Sequence, residues 1–207
     1  MSISAVKLDA LPMRVARREF TRSRLCAAAR EVFFVKGYGA ATLEDIAQAA
    51  GTRRSTLYNH FRDKNDLLAE IAEDYLAKVK LEVARLRGPK PSRGEIDTWI
   101  QQFARFVVAE RTPTILVVHG SAEREVPQAL LAFGVRLIEA FADQLSAFAA
   151  ALRPDGEGRL ALVRARVVLR ELGYALCTHV EEEGGGLTPE MLTVAGELFE
   201  RFVSEQV

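Results

Sequence analysis

The residues from Thr42 to Leu68, TLEDIAQAAGTRRSTLYNHFRDKNDLL, admit few folds. Leu43, Ile46, Ala47 and Ala50 recur at i, i+3, i+4 and i+7 with Glu44, Asp45 and Gln48 among them, which predicts a short helix with one apolar stripe. Thr42 is placed to cap that helix, with Asp45 at the third position of an imperfect capping box. Gly51 ends it. Ala47, four residues earlier, is also small, so a second helix is expected to cross closely there, and the turn at Gly51 is expected to take a positive φ. Thr52, Arg53, Arg54, Ser55 and Thr56 then open a second helix held to the core by Leu57 and Phe61, four residues apart, which leaves its polar end free to meet a groove. Two short helices about a glycine, followed by a longer third, form the pattern of a DNA-reading helix-turn-helix.

The formal net charge of zero argues against a nucleic-acid binder until the chain is divided. Residues 1–90 carry 17 Lys and Arg against 11 Asp and Glu, and residues 91–207 carry 11 against 17. A basic front joined to an acidic back implies that only the front approaches phosphate. With 49% apolar and 27% charged residues the chain has ample material for a core. Cys26 and Cys177 stand in no metal-like spacing and predict core thiols in a reducing compartment. The absence of a leader pattern or an 18-residue apolar run predicts a cytoplasmic protein with no membrane partner.

Residues 1–20 show no sustained period, and Arg14, Arg17, Arg18, Arg22 and Arg24 crowd together beyond Pro12, which predicts a basic arm. Thr21 then caps a helix that ends at Gly37. Asp63 precedes a long helix through Leu67, Leu68, Ile71, Tyr75 and Val79 to about Leu86, and the segment RGPKPSRG, 87–94, marks the domain boundary. The predicted organisation is an arm at 1–20, a helix-turn-helix domain with connecting helix at 21–86, and a helical domain at 95–207. In the last, helices are expected at 95–110, 126–152, 159–180 and 188–206, with a short apolar element at 112–120. The fold class is all-α.

The run IAQAAGTRRSTLYNHFRDKNDLL, with TRSRLCAAAREVFFVKG, Tyr38 and Thr42 upstream, resembles the signature of the TetR family of one-component transcriptional regulators; the similarity covers roughly residues 14 to 80. Arg53 and Ser55 depart from the serine and glycine common at those positions, so no DNA sequence can be carried over. The resemblance implies that Thr42, Tyr58, His60 and Lys64 hold the phosphate backbone of double-stranded DNA while Arg53, Arg54, Ser55 and Thr56 reach base edges, with Arg54 the foremost candidate for a guanine. It further implies a homodimer and a small-molecule pocket in the C-terminal domain.

That half is less explicit. Trp99, Phe103, Phe106, Ile115, Phe133, Leu137 and Phe141 are candidates to line a largely apolar effector pocket, with His119 and Arg136 as polar contacts, although each apolar residue serves equally as core. Val163, Val167, Leu169, Leu172 and Leu176, with Met191, Ala195, Leu198, Phe199 and Phe202, are candidates for a four-helix dimer interface, or else close the protomer's own core. No HExxH, Glu-x-x-His pair or Ser/His/Asp constellation appears, so no catalytic residue, metal or cofactor is predicted. The expected function is a ligand-responsive DNA-binding regulator, a repressor released from a palindromic operator; a ligand-independent regulator and a helical enzyme with an accessory DNA motif are the rivals.

Overall fold

The computed structural model describes residues 13–86, 88–183 and 185–204, and all the regular structure among them is helical. In chain order the helices are α1 (Met13–Lys36), α2 (Leu43–Ala49), α3 (Arg54–Tyr58), α4 (Lys64–Val83), α5 (Arg93–Ala109), α6 (Arg111–Ala122), α7 (Gln128–Ala142), α8 (Ser146–Ala151), α9 (Gly156–Glu181) and α10 (Thr188–Ser204). Among the described residues no helix is long and apolar enough to cross a membrane. The chain forms two compact units, the first ending at Leu68 and the second beginning at Ala69. The division therefore falls inside α4 and not in the Pro/Gly segment 87–94. That segment does break the helices, but the apolar residues of α4 from Ile71 to Val83 already belong to the second unit.

In the first unit α1 packs on α2 and α2 on α3. Leu25, Cys26, Ala29 and Phe33 of α1 are buried, as are Ile46, Ala47, Leu57 and Phe61. The expectation of a basic arm at 1–20 needs correction. Residues 1–12 lie outside the described residues, but from Met13 the chain is already helical, and Thr21, expected as an N-cap, lies within α1 with its Oγ1 donating to the Arg17 carbonyl at 2.9 Å. Residues 13–20 contain no glycine or proline, and a helix nucleated by the buried stripe from Leu25 onward propagates back through good helix formers at little cost.

The second unit is built around aromatic contacts. Trp99 stacks on Phe103 and Phe199 at centroid distances of 5.1 and 5.5 Å, and its Nε1 donates to the Glu82 carbonyl at 2.9 Å. The single helix expected over 126–152 is broken between Ala142 and Ser146 into α7 and α8. An unbroken helix would raise Phe148 about 10 Å along the axis from Phe141. The break instead brings the two rings to 4.8 Å, with Leu145 and Phe148 fully buried, and the Pro89 carbonyl accepts from Ser146 N–H at 3.2 Å.

The α9 and α10 set expected at a dimer interface divides in two. Leu172, Leu176, Ala195, Phe199 and Phe202 are buried in the protomer's own core, and Leu169 and Met191 are half-buried, whereas Val163, Val167 and Leu198 are exposed together with Leu160, Tyr174 and Val194. The correction has a simple cause. Both helices carry apolar residues over more than one stripe, and helical spacing alone does not say which stripe the protomer covers. Gly173, between Leu172 and Tyr174 on α9, faces α6, where an added Cβ would meet Val118 Cγ2 at 3.7 Å.

Candidate functional site

The turn between α2 and α3 is built locally. Thr42 N–H and Oγ1 donate to Asp45 Oδ2 at 3.0 and 2.8 Å, and Asp45 N–H donates back to Thr42 Oγ1 at 3.2 Å, so the shorter aspartate closes the capping box in full. Lys36 Nζ donates to the other carboxylate oxygen at 2.6 Å. The Lys36 ammonium, then the Thr42 donors, hold the Asp45 carboxyl down to about 2. Gly51 has φ +61°, as the turn requires. Its smallness matters less than expected, since an added Cβ would meet only Arg24 Nη2, at 3.6 Å.

Two arginines of α1 fasten the outer ends of this motif. Arg24 Nη2 donates to the Ala50 carbonyl at the C-terminus of α2; Arg22 Nη1 donates to the His60 carbonyl at 2.9 Å, and its guanidinium lies 4.3 Å from the Phe61 ring centroid. Cations at the carbonyl end of a helix satisfy acceptors that the helix itself leaves open. The sequence shows Arg22 and Arg24 only as part of a basic cluster; their separation in sequence from residues 50 and 60 hides the role.

With its inner side held by Leu57, α3 presents Arg53, Arg54, Ser55 and Tyr58 as exposed residues and Thr56 and His60 as half-buried ones; Thr42 is exposed at the start of α2. The predicted DNA-contacting residues thus share the first unit, with one change of role. Lys64 Nζ donates to the carbonyls of Tyr38, Gly39 and Ala41 at 2.8, 2.9 and 3.4 Å and lies 4.6 Å from the Tyr38 ring centroid. All three of its N–H groups therefore have acceptors in the loop before α2, and Lys64 acts as a staple of that loop where the sequence suggested a phosphate contact. Arg54 Nη2 donates to Tyr58 Oη at 3.0 Å one turn along α3, with the guanidinium 5.4 Å from that ring centroid, so the pair shares one orientation.

In the second unit Phe103, Phe133, Leu137 and Phe141 line an apolar cavity of about 80 Å³ together with Tyr75, Thr114, Leu169, Leu172 and Leu176. Of the other pocket candidates, Trp99 and Ile115 are buried beside this cavity's lining without forming it, and Phe106 stacks on Tyr75 at 5.9 Å. Arg136 and His119 are corrections. Arg136 is half-buried and paired with Glu73, His119 is exposed with its Nε2 3.4 Å from Glu181 Oε1, and neither lines the cavity. The cavity's polar feature is one the sequence reading passed over: the Thr114 hydroxyl donates to the Glu110 carbonyl at 2.8 Å, so Tyr75 Oη must be the donor in its 2.8 Å bond to Thr114 Oγ1. Burial raises the Tyr75 phenol well above its ordinary range and pushes the Cys177 thiol up to about 12. A tyrosine within the apolar stripe of α4 was the available signal.

Residues 25–71 match the family model described as bacterial regulatory proteins, tetR family. The uncharacterised HTH-type transcriptional regulator YvdT of Bacillus subtilis (strain 168) is 33% identical over 96 residues, 46% of this chain and 48% of YvdT. The chain thus spans about half the length of the curated relatives it matches. Over nearly the whole chain the likeness is one of fold. NalD, the secondary repressor of the MexAB-OprM multidrug efflux pump in Pseudomonas aeruginosa, superposes with a TM-score of 0.59 at 16% identity, covering 91% of this chain and 100% of NalD. Thermus thermophilus FadR, a TetR-family transcriptional repressor solved in complex with lauroyl-CoA, gives 0.56 at 21% identity over 90% of this chain and 97% of its own. The capped α2, the positive-φ glycine and the exposed arginines of α3 all fall inside residues 25–71, the part of the chain that matches the tetR family of bacterial regulatory proteins.

Proposed function

We propose that the protein is a transcriptional repressor of the cytoplasm that binds a palindromic operator as a homodimer and is released by a small-molecule effector held in the second unit. The observation that carries this reading is α3, whose inner side is fixed by Leu57 while Arg53, Arg54, Ser55 and Tyr58 stand exposed. Arg54, oriented by Tyr58, reads guanine O6 and N7; Arg53, Ser55 and Thr56 reach neighbouring edges; Thr42, Tyr58 and His60 contact phosphate. One short helix spans too few base pairs for selection in a genome, so two copies are required about one helical turn apart, roughly 34 to 36 Å or a multiple. The exposed apolar residues Val163, Val167 and Leu198 on α9 and α10 are the surface for that second copy.

The effector acts by binding one conformational state better than another, and only that difference shifts the population. The apolar lining and the phenol of Tyr75 suit an apolar molecule with one hydrogen-bond donor, and the FadR complex with lauroyl-CoA supports a ligand with an apolar chain. A volume of about 80 Å³ is below the roughly 300 Å³ of small ligand pockets, so such a molecule enters only if the walls part. This volume is what favours the second reading, a regulator that needs no ligand.

The test uses a duplex selected from random sequence by the full-length protein. Val163→Glu with Leu198→Glu, both at exposed positions, is expected to give folded monomers by equilibrium sedimentation and a loss of operator affinity of at least about a hundredfold. A wild type that is monomeric at micromolar concentration yet binds the palindrome tightly, or a double variant that stays dimeric, overturns the assembly; Arg54→Ala without any change of base preference overturns the assignment of α3.

A further inference from the structure

Next to the cavity-lining residues Val118 and Leu176, three side chains from two helices distant in sequence, α6 and α9, converge. His119, near the end of α6, and Cys177 and Glu181 of α9 each offer a ligand atom, and all three atoms lie within 4.8 Å of one another. Cys177 and Glu181 are one helical turn apart and therefore share a face. The two helices are already joined there, since Arg111 Nη1 donates to the Val180 carbonyl at 3.0 Å. Cys177 is buried at the bottom of the group, while the His119 and Glu181 side chains, 57% and 39% exposed, form an open rim with Nε2 and Oε1 3.4 Å apart.

From this geometry we infer that His119, Cys177 and Glu181 form a binding site for a divalent transition metal of the zinc class. A tetrahedral zinc centre with bonds of about 2.0 to 2.3 Å sets its ligand atoms roughly 3.3 to 3.8 Å apart, so small side-chain rotations suffice. One thiolate, one imidazole and one carboxylate select zinc or cobalt over magnesium and calcium, which prefer oxygen alone. Three protein ligands leave the fourth position for water, on the exposed side. Binding displaces the thiol proton to solvent and forms the metal–sulfur bond, with no change of oxidation state. The ion fastens α6 to α9, two walls of the cavity through Val118, Leu172 and Leu176. No motif announces the site, because His119 and Cys177 are far apart in sequence.

Titration of the full-length protein with Co²⁺ reads thiolate ligation directly, through a sulfur-to-cobalt charge-transfer band in the near ultraviolet. The expected result is one equivalent bound with that band, about one proton released per ion, and displacement by Zn²⁺. Cys177→Ser abolishes the band and Cys26→Ser leaves it intact. His119→Ala and Glu181→Gln, at exposed positions where folding is not at risk, each weaken binding by roughly a hundredfold or more, above the 10- to 100-fold cost of losing a mere supporting contact. Zn²⁺ at about 100 times its Kd raises Tm by roughly 5 to 10 °C in the wild type and not in His119→Ala. Cobalt bound without the band, a band that depends on Cys26, equal affinity in His119→Ala, or no binding at micromolar metal overturns the assignment and leaves a surface histidine–carboxylate pair over a core thiol.

Discussion

Replacing Lys64 by methionine separates its two roles. Methionine keeps most of the apolar stem and removes the ammonium, so packing changes little while three N–H donors are lost. Two of the acceptors, the carbonyls of Tyr38 and Ala41, are bonded in partly buried surroundings, and the third, of Gly39, in exposed ones. A hydrogen bond from a charged donor contributes about 1.5 to 3 kcal/mol when its partner cannot find water, and much less when it can. Counting the short, partly buried bond to Tyr38 in full, the 3.4 Å bond to Ala41 and the exposed bond to Gly39 at little, and about 0.5 kcal/mol for the contact with the Tyr38 ring gives a loss of roughly 2 to 3 kcal/mol, confined to the first unit. Tryptophan fluorescence is blind to it, because the single tryptophan, Trp99, belongs to the second unit. Amide hydrogen exchange is the suitable assay, and the backbone of α2 and α3 is expected to exchange roughly 30- to 150-fold faster while α9 and α10 are unchanged. Unchanged exchange in α2 and α3, together with weaker operator binding and a salt slope reduced by about one ion, would refute the staple and restore Lys64 as a phosphate contact.

Gly51→Ala places a Cβ on a residue with φ +61°, which costs about 1 to 2 kcal/mol with no clash to relieve, whereas Gly51→Asn costs less; urea unfolding followed by exchange at α2 amides ranks the two. The Asp45 carboxyl titrates near 2 in the folded protein against an ordinary 3.8, a lowered value, so its stabilisation of the first unit is complete above about pH 4 and is lost as the pH falls towards 2. Lys36→Met removes the largest cause of that shift, and carbon-detected NMR titration is expected to place the carboxyl closer to 3.8; no movement would show that Lys36 does not hold it.

The N-terminal domain was legible in the sequence because its determinants are local. Thr42 and Asp45 are three residues apart and form their capping box within one turn; Gly51 supplies a backbone angle that needs no distant partner; Leu57 and Phe61 share a face at four-residue spacing whatever covers them. Where partners are remote, the same residue types read differently once folded. Lys64 and Arg22 have the composition of phosphate contacts, but the open carbonyls they satisfy lie more than twenty residues away. The residues of α9 illustrate the limit most sharply: Val163 and Leu172 are both apolar at helical positions, one exposed and the other buried against the cavity, and spacing cannot distinguish a stripe the protomer covers from one left bare. The break between α7 and α8 has no glycine or proline to announce it and exists because the rings of Phe141 and Phe148 gain contact with each other and with Phe199. Periodicity and turn chemistry act over one or two helical turns and so are written in the sequence, whereas the direction each face points, and the meeting of His119 with Cys177 and Glu181, depend on packing among helices far apart in it and arise only in the tertiary structure.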